Sequence, residues 1–444
     1  MKRKLAAFFL VLFSPAFVFA YGSPEHLKLD DGMRVILDRD DTSPLAAVEI
    51  WVNVGAVNES TETAGISHFI EHTIFKGTAD KKQKDIAPAI EKVGGVINAA
   101  TSKDFTYFYT VIPASYCVYC AQIIADAVAN PEFPEQEIEK ERGVIIEEIK
   151  RKDDNPQSEL MDSFYELVYG TSPYSARVIG SEKTVSGITR DDLLSFHKKY
   201  YTAGRMCVVV TGNFDKKQMI QALNAKLGKL PKGGVPDSKE FSRRLFGIPQ
   251  AGNAPLKIIR KNVAQAYIVM GFPAASINNE DQYQLDLLSY VLGSGRASRL
   301  YKKFVEDTKL AYNISASFST QKGPGLFSVY AECRPDRVST LVNDIKMELF
   351  ELSMSGISDE DVRRAKAMLL RDKLLGKQAP DEWAEELGFY YVLGGGNIPE
   401  KYIDKIKKIK PQALPDTLSK YLVFPNIPTV VVLPESGQEG GQEK

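Results

Sequence analysis

The sequence predicts an α+β fold of two related lobes, each of about 200 residues and built from helices and mostly antiparallel strands. Three observations carry that expectation. Stretches with strand alternation and stretches with helical spacing follow one another through both halves of the 444-residue chain. Phe133-Pro134-Glu135-Gln136-Glu137-Ile138, at the head of one long helical run, is echoed 224 residues later by Ile357-Ser358-Asp359-Glu360-Asp361-Val362. Each half then closes on a β-rich run, at 206–211 and 429–432.

Taken in order, residues 1–20 stand apart from the rest. Met1-Lys2-Arg3-Lys4 is basic, 5–19 is almost wholly apolar, and Val18 and Ala20 put small residues where a signal peptidase cuts. A secretory signal peptide is expected, and with it export to a periplasm or the extracellular space. The apolar stretch is shorter than the ~20 residues of a spanning helix, and no later segment reads as an integral membrane span. The first lobe is expected over 21–230. Its strands fall at 27–37, 45–54 and 101–112, and its helices at 64–75, 83–93, 115–128, 134–151, 157–169 and 190–200. Residues 231–255, rich in proline and glycine at their start, read as an interlobe linker. The second lobe, 256–434, shows strands at 265–271, 311–318 and 325–333, helices at 282–292, 299–306 and 338–354, and a long helix opening at Ile357. Gly293-Ser-Gly-Arg-Ala-Ser298 reads as a turn between helices, and 435–444 as a disordered tail.

Hydrophobic residues at 44% and charged residues at 25% fit an ordinary globular protein with real cores. Without Lys2, Arg3 and Lys4 the formal net charge moves from −1 to −4, which gives no basis for nucleic-acid binding. Four cysteines are too few for a disulfide scaffold, and Cys117 and Cys120 fall in an apolar helical run as two small buried side chains.

Chemistry concentrates at one place. Of the four histidines, His68 and His72 flank Glu71 in the pattern H-x-x-E-H, which random placement would give with a probability of ~0.003. His26 and His197 have no motif partners and read as surface or packing residues. On a helix, positions 68, 71 and 72 share a face. Zinc takes imidazole nitrogen and carboxylate oxygen, and a catalytic site keeps a fourth position for water, so a third protein ligand is needed. Glu141 and Glu148, seven residues apart on a later helix, share a face, but the 132–148 segment is so rich in glutamate that a solvated acidic surface explains their spacing equally well.

Gly65-Ile-Ser-His-Phe-Ile-Glu-His-Thr-Ile-Phe-Lys-Gly-Thr78 closely resembles the signature of the pitrilysin/insulysin family of inverted-motif zinc peptidases, and the likeness extends over nearly the whole chain after residue 20. Within the family it resembles the two-lobed bacterial members similar to the mitochondrial processing peptidase. The resemblance implies a clamshell in which each sheet carries helices on one side. It implies a zinc metalloendopeptidase acting on peptides or unfolded polypeptides, with one Zn2+ held by His68, His72 and Glu148. Glu71 is then the base that takes a proton from water, and Glu141 the carboxylate that holds a ligand histidine. Gly94-Gly95-Val96-Ile97-Asn98-Ala99-Ala100-Thr101-Ser102 resembles the family's substrate-binding edge strand, which makes Asn98 and Ala99 substrate contacts. Members commonly carry an Arg and a Tyr seven residues apart in the second lobe. Here Tyr312 matches, but Val305 stands where the Arg belongs. That departure implies an incomplete substrate grip, and either a homodimer or a heteromer with a related chain that bears the Arg/Tyr pair. Some family members are non-catalytic assembly subunits. Those lose the metal-binding set, which is intact here.

Overall fold

A computed structural model describes residues 23–78, 86–234, 256–422 and 424–435. The expected signal peptide, most of the expected linker and nearly all of the expected tail lie outside those residues.

The first half forms a sheet of β1 (Glu25–Lys28), β2 (Arg34–Arg39), β3 (Leu45–Val52), β4 (Val96–Thr101), β5 (Thr106–Pro113) and β6 (Met206–Gly212), in the order β1-β2-β6-β3-β5-β4. The second forms β7 (Leu256–Lys261), β8 (Ala266–Ala274), β9 (Asn313–Ser319), β10 (Gly325–Cys333) and β11 (Thr429–Pro434), in the order β7-β11-β8-β10-β9. Without β1 the two orders are the same. In both, only the pair formed by the first and last strands is parallel, β2 with β6 and β7 with β11.

The first half contributes helices α1 (Ile66–Thr73), α2 (Ile86–Glu91), α3 (Cys117–Ala129), α4 (Glu135–Asp154), α5 (Pro156–Tyr169), α6 (Glu182–Gly187), α7 (Arg190–Tyr200) and α8 (Lys216–Leu227). The second contributes α9 (Asp281–Gly293), α10 (Val338–Ser355), α11 (Asp359–Gly376), α12 (Pro380–Leu393), α13 (Ile398–Lys408) and α14 (Ala413–Tyr421). The 224-residue echo links α4 to α11 and α5 to α12, both pairs of helix starts being offset by that amount.

Alternation along β3 divides the core. Ala46, Val48, Ile50 and Val52 face a cluster built with α1, α3 and α8, whereas Ala47 and Trp51 face the opposite side with Ile36, Cys207 and Val209. That opposite side is covered by α12, from the other half of the chain, through Trp383, Ala384, Leu387 and Val392. In exchange, Leu160, Phe164, Val168 and Tyr169 of α5 cover Val269, Leu326, Val430 and Val432 of the second sheet. Each fully buried apolar side chain of this size is worth about 1.5–3 kcal/mol, so the exchange ties the lobes together. At Gly388 of α12 a Cβ would lie 2.1 Å from the Trp51 indole nitrogen, so the close approach requires glycine.

Several expected elements are subdivided. The run 27–37 is two strands joined by a turn through Gly32, whose φ of 95° suits glycine. The run 101–112 holds the end of β4, a turn and then β5. Residues 299–306 form a short helical piece, Arg299–Tyr301, followed by a π turn, Lys302–Asp307. Cys117 and Cys120 are free thiols buried in the first core. Among the described residues, no helix is long and apolar enough to cross a membrane.

Candidate metal centre

Helix α1 has two working faces. Ile66, Phe69, Ile70 and Thr73, at helical spacing, enter the core, which turns His68, Glu71 and His72 toward α4 and β4. The helix begins at Gly65, whose φ of 97° and 2.7 Å approach of a would-be Cβ to the Ile179 carbonyl admit no other residue without strain. On α4, Ile138, Ile145 and Ile149 anchor the helix in the core, and the adjacent stripe presents Glu141 and Glu148 to α1.

The ligand atoms of His68, His72 and Glu148 lie within 4.8 Å of one another. Glu148 Oε2 is 3.7 Å from His68 Nε2 and 3.6 Å from His72 Nε2. Two atoms bound to a tetrahedral zinc at about 2 Å stand about 3.4 Å apart, so the nitrogen, nitrogen and oxygen chemistry of the set and both carboxylate-to-imidazole distances suit zinc. Glu141 Oε2 pairs with His72 Nδ1 at 3.0 Å, which leaves Nε2 facing the shared point. Lys76 Nζ holds the other Glu141 oxygen at 2.7 Å, and Lys152 Nζ lies 3.3 Å from Glu148 Oε1.

Electrostatics separate the roles. Burial, reinforced by the neighbouring His72, lowers His68 to about 4, so its ring is neutral and able to ligate at neutral pH. Burial raises the Glu141 and Glu148 carboxyls, but their partners outweigh it: Lys76 and His72 hold Glu141 low, and His68, Lys152 and His72 hold Glu148 low. Glu71 moves the other way. Burial raises it above the ordinary carboxylate range, against the Thr101 hydroxyl and His72. A carboxyl with its proton affinity raised in this way, beside two imidazoles and a second carboxylate, has the character of a group that can take up and return a proton.

Glu71 and His72 open onto a cavity of about 330 Å³ whose far wall is Ile97, Asn98 and Ala99. The expected edge strand, β4, is the outermost strand of its sheet. The Ala99 amide donates to Asn98 Oδ1 at 2.9 Å. Tyr312 does not line this cavity, and its side chain is exposed, while Val305 packs into the second core. Sequence reasoning missed Lys76 and Lys152. Their positions one turn beyond His72 and Glu148 were the available signal.

Residues 34–182 match the family model described as Insulinase (Peptidase family M16), and 187–369 match that described as Peptidase M16 inactive domain. A Rickettsia felis protein described as an uncharacterized zinc protease is 31% identical over 408 residues, covering 91% of this chain and 96% of its own. The chain belongs to the insulinase family, peptidase family M16. An M16 relative of the same description from Mycobacterium leprae is 33% identical, over 81% of this chain and 80% of its own. The fold matches the crystal structure of a protease from Helicobacter pylori with a TM-score of 0.86 at 23% identity, covering 93% of this chain and 100% of that one. The repeat does not carry the carboxylate pair of the first lobe into the second. At the offset of 224, Glu141 and Glu148 correspond to Ala365 and Asp372, where Asp372 accepts a hydrogen bond from Tyr290 on α9. All four histidines lie in the first lobe.

Proposed function

We propose that the chain is an exported zinc metalloendopeptidase that hydrolyses peptides or unfolded polypeptides at the α1–α4 site. The observation that carries this reading is the convergence of His68, His72 and Glu148 with Glu71 on the same helix face, opening on an edge strand. His68, His72 and Glu148 would hold one zinc ion, which when bound supplies a Lewis acid for the scissile carbonyl and acidifies a water. Glu141, backed by Lys76, fixes the ring of His72. Glu71 takes the proton from the attacking water and passes it to the leaving amine, for which its raised affinity for protons suits it. The open edge of β4 would take the peptide as an added strand through main-chain hydrogen bonds, with Asn98 and Ala99 at the contact, so many sequences are accepted.

The signal-like residues 1–20 support export to a periplasm or extracellular space. Val305 and the exposed Tyr312 favour a second-lobe grip supplied by a related chain with the Arg/Tyr pair. The test is cleavage of a mixed peptide library by the wild type and Glu71→Gln, each alone and with candidate related chains. Chelator-sensitive hydrolysis is expected, and Glu71→Gln should keep its zinc while losing 10²–10⁴-fold in rate. A Glu71→Gln enzyme as fast as wild type would overturn the base assignment, and full activity of the lone chain would remove the need for a partner.

A further inference from the structure

Helix α1 carries two expected ligands and the expected base on only eight residues, yet its own sequence provides no cap. The residue before it is Gly65, its first turn has no acidic side chain, and no side chain of the capping position accepts an amide. The amides at this end are orphan donors unless something outside the helix accepts them. Glu59, in the loop that follows a short 3-10 turn (Ala56–Asn58), does so with both oxygens: Gly65 N–H donates to Oε2 at 2.7 Å and Ser67 N–H to Oε1 at 2.9 Å. Ser67 directly precedes His68.

The supporting loop is fixed in turn. Asn58 Oδ1 accepts from the Gly55 amide at 3.1 Å, and the Ile66 amide donates to the Thr63 carbonyl at 3.0 Å. On the other side a Cβ at Gly180 would lie 2.3 Å from the Ala64 carbonyl oxygen, so the 179–180 backbone presses directly on the segment leading into α1. Glu59 is therefore a two-point clamp between a rigid loop and the first turn of the helix. Two charge-assisted bonds from one planar group fix rotation as well as position, and the direction of His68 and Glu71 follows from that rotation.

We infer that Glu59 is a positioning residue of the metal centre, holding α1 in the rotation at which His68 meets Glu148 and Glu71 faces the cavity. This rests on the zinc-peptidase reading above. Stability alone gives a poorer account of the residue. Burial raises its carboxyl to about 7, against the Gly65 and Ser67 amides and the Lys103 ammonium, so keeping it ionised at pH 8 costs folding free energy. Groups held in such a state cluster where geometry serves function.

The experiment compares Glu59→Gln with the wild type at pH 8, and uses Glu62→Gln on the same loop, where the side chain is solvent-exposed, as the control. Gln keeps the shape but turns an NH2 toward one of the two amides. Expected are a thermal midpoint within a few degrees of wild type, a 10–100-fold loss of zinc affinity against a chromophoric chelator, and a similar fall in kcat at saturating zinc with KM within twofold. Glu62→Gln should match wild type in all three. Glu59→Gln with unchanged zinc affinity and kcat overturns the inference. So does a variant in which only the melting temperature falls. Hydrogen exchange of the wild type adds a test independent of any variant: Gly65 and Ser67 amides exchanging at unprotected rates contradict the clamp. Failure of wild type itself to bind zinc or cleave peptides would count against the zinc-peptidase reading, not against the clamp.

Discussion

His197 shows how a single buried side chain makes the fold sensitive to acid. Its Nε2 pairs with the Val128 carbonyl at 2.8 Å, and its ring stacks on Tyr201 at 4.4 Å. Burial lowers it to about 4, with the Val128 bond pulling the other way. Because the folded value lies below the unfolded 6.5, the folded state binds fewer protons between the two. Stability from this group is complete above pH 6.5 and declines as pH falls toward 4, by at most about 3 kcal/mol. Denaturant unfolding from pH 7 to pH 4 should show a shallower decline for His197→Phe, which keeps a ring against Tyr201, than for wild type. Equal slopes would refute the assignment. At this scale the sequence was uneven in what it revealed. His68, Glu71 and His72 declared themselves because rare residues fell at one helical spacing. Glu148 did not, since glutamate crowds its helix and only the resemblance singled it out. Glu59 acts on backbone amides six and eight residues away rather than through a side-chain motif, so no local pattern marks it, whereas Lys76 and Lys152 were marked only by standing one turn beyond His72 and Glu148.

Among the elements, α12 matters most to how the halves are joined. It enters the first sheet's outer face with Trp383 Nε1 donating to Asp38 Oδ2 at 2.5 Å and Thr211 Oγ1 donating to the Pro380 carbonyl at 2.6 Å. Gly388 sits directly on Trp51. Gly388→Ala should therefore destabilise the protein by about 1–3 kcal/mol through overpacking, despite alanine's better helix propensity. A denaturation midpoint at or above wild type would show that the contact is looser than described. Helix periodicity was legible for α1, α3, α4, α9 and α10, whose apolar faces enter their own lobe's core. The sheet that α5 covers was not legible, because an apolar stripe says that a helix is covered and not by which sheet, and α12 was not anticipated as a separate helix at all. The strand breaks at 29–33 and 102–105 were obscured by apolar residues on both sides of short turns.

For the whole molecule, one fold is used twice and equipped once. Both lobes share a strand order and a long helix at the same offset, yet in the second the acidic stripe reads Ala365 and Asp372, and Tyr290 occupies the facing helix. The echo of 133–138 at 357–362 was enough to suggest the duplication. Strand order was beyond the sequence, because register is set by pairing between distant segments. Free thiols exist in both lobes but are buried, and burial raises the Cys117, Cys207 and Cys333 thiols, which leaves them poor competitors for a metal. The central claim is that the first lobe alone holds one zinc through two imidazoles and a carboxylate. Zinc K-edge X-ray absorption of the purified, zinc-loaded chain tests it most directly. The account predicts one zinc per chain with only nitrogen and oxygen neighbours near 2.0–2.2 Å, two of them imidazole. Sulfur at about 2.3 Å, or an imidazole signal unchanged in His68→Ala, would contradict it.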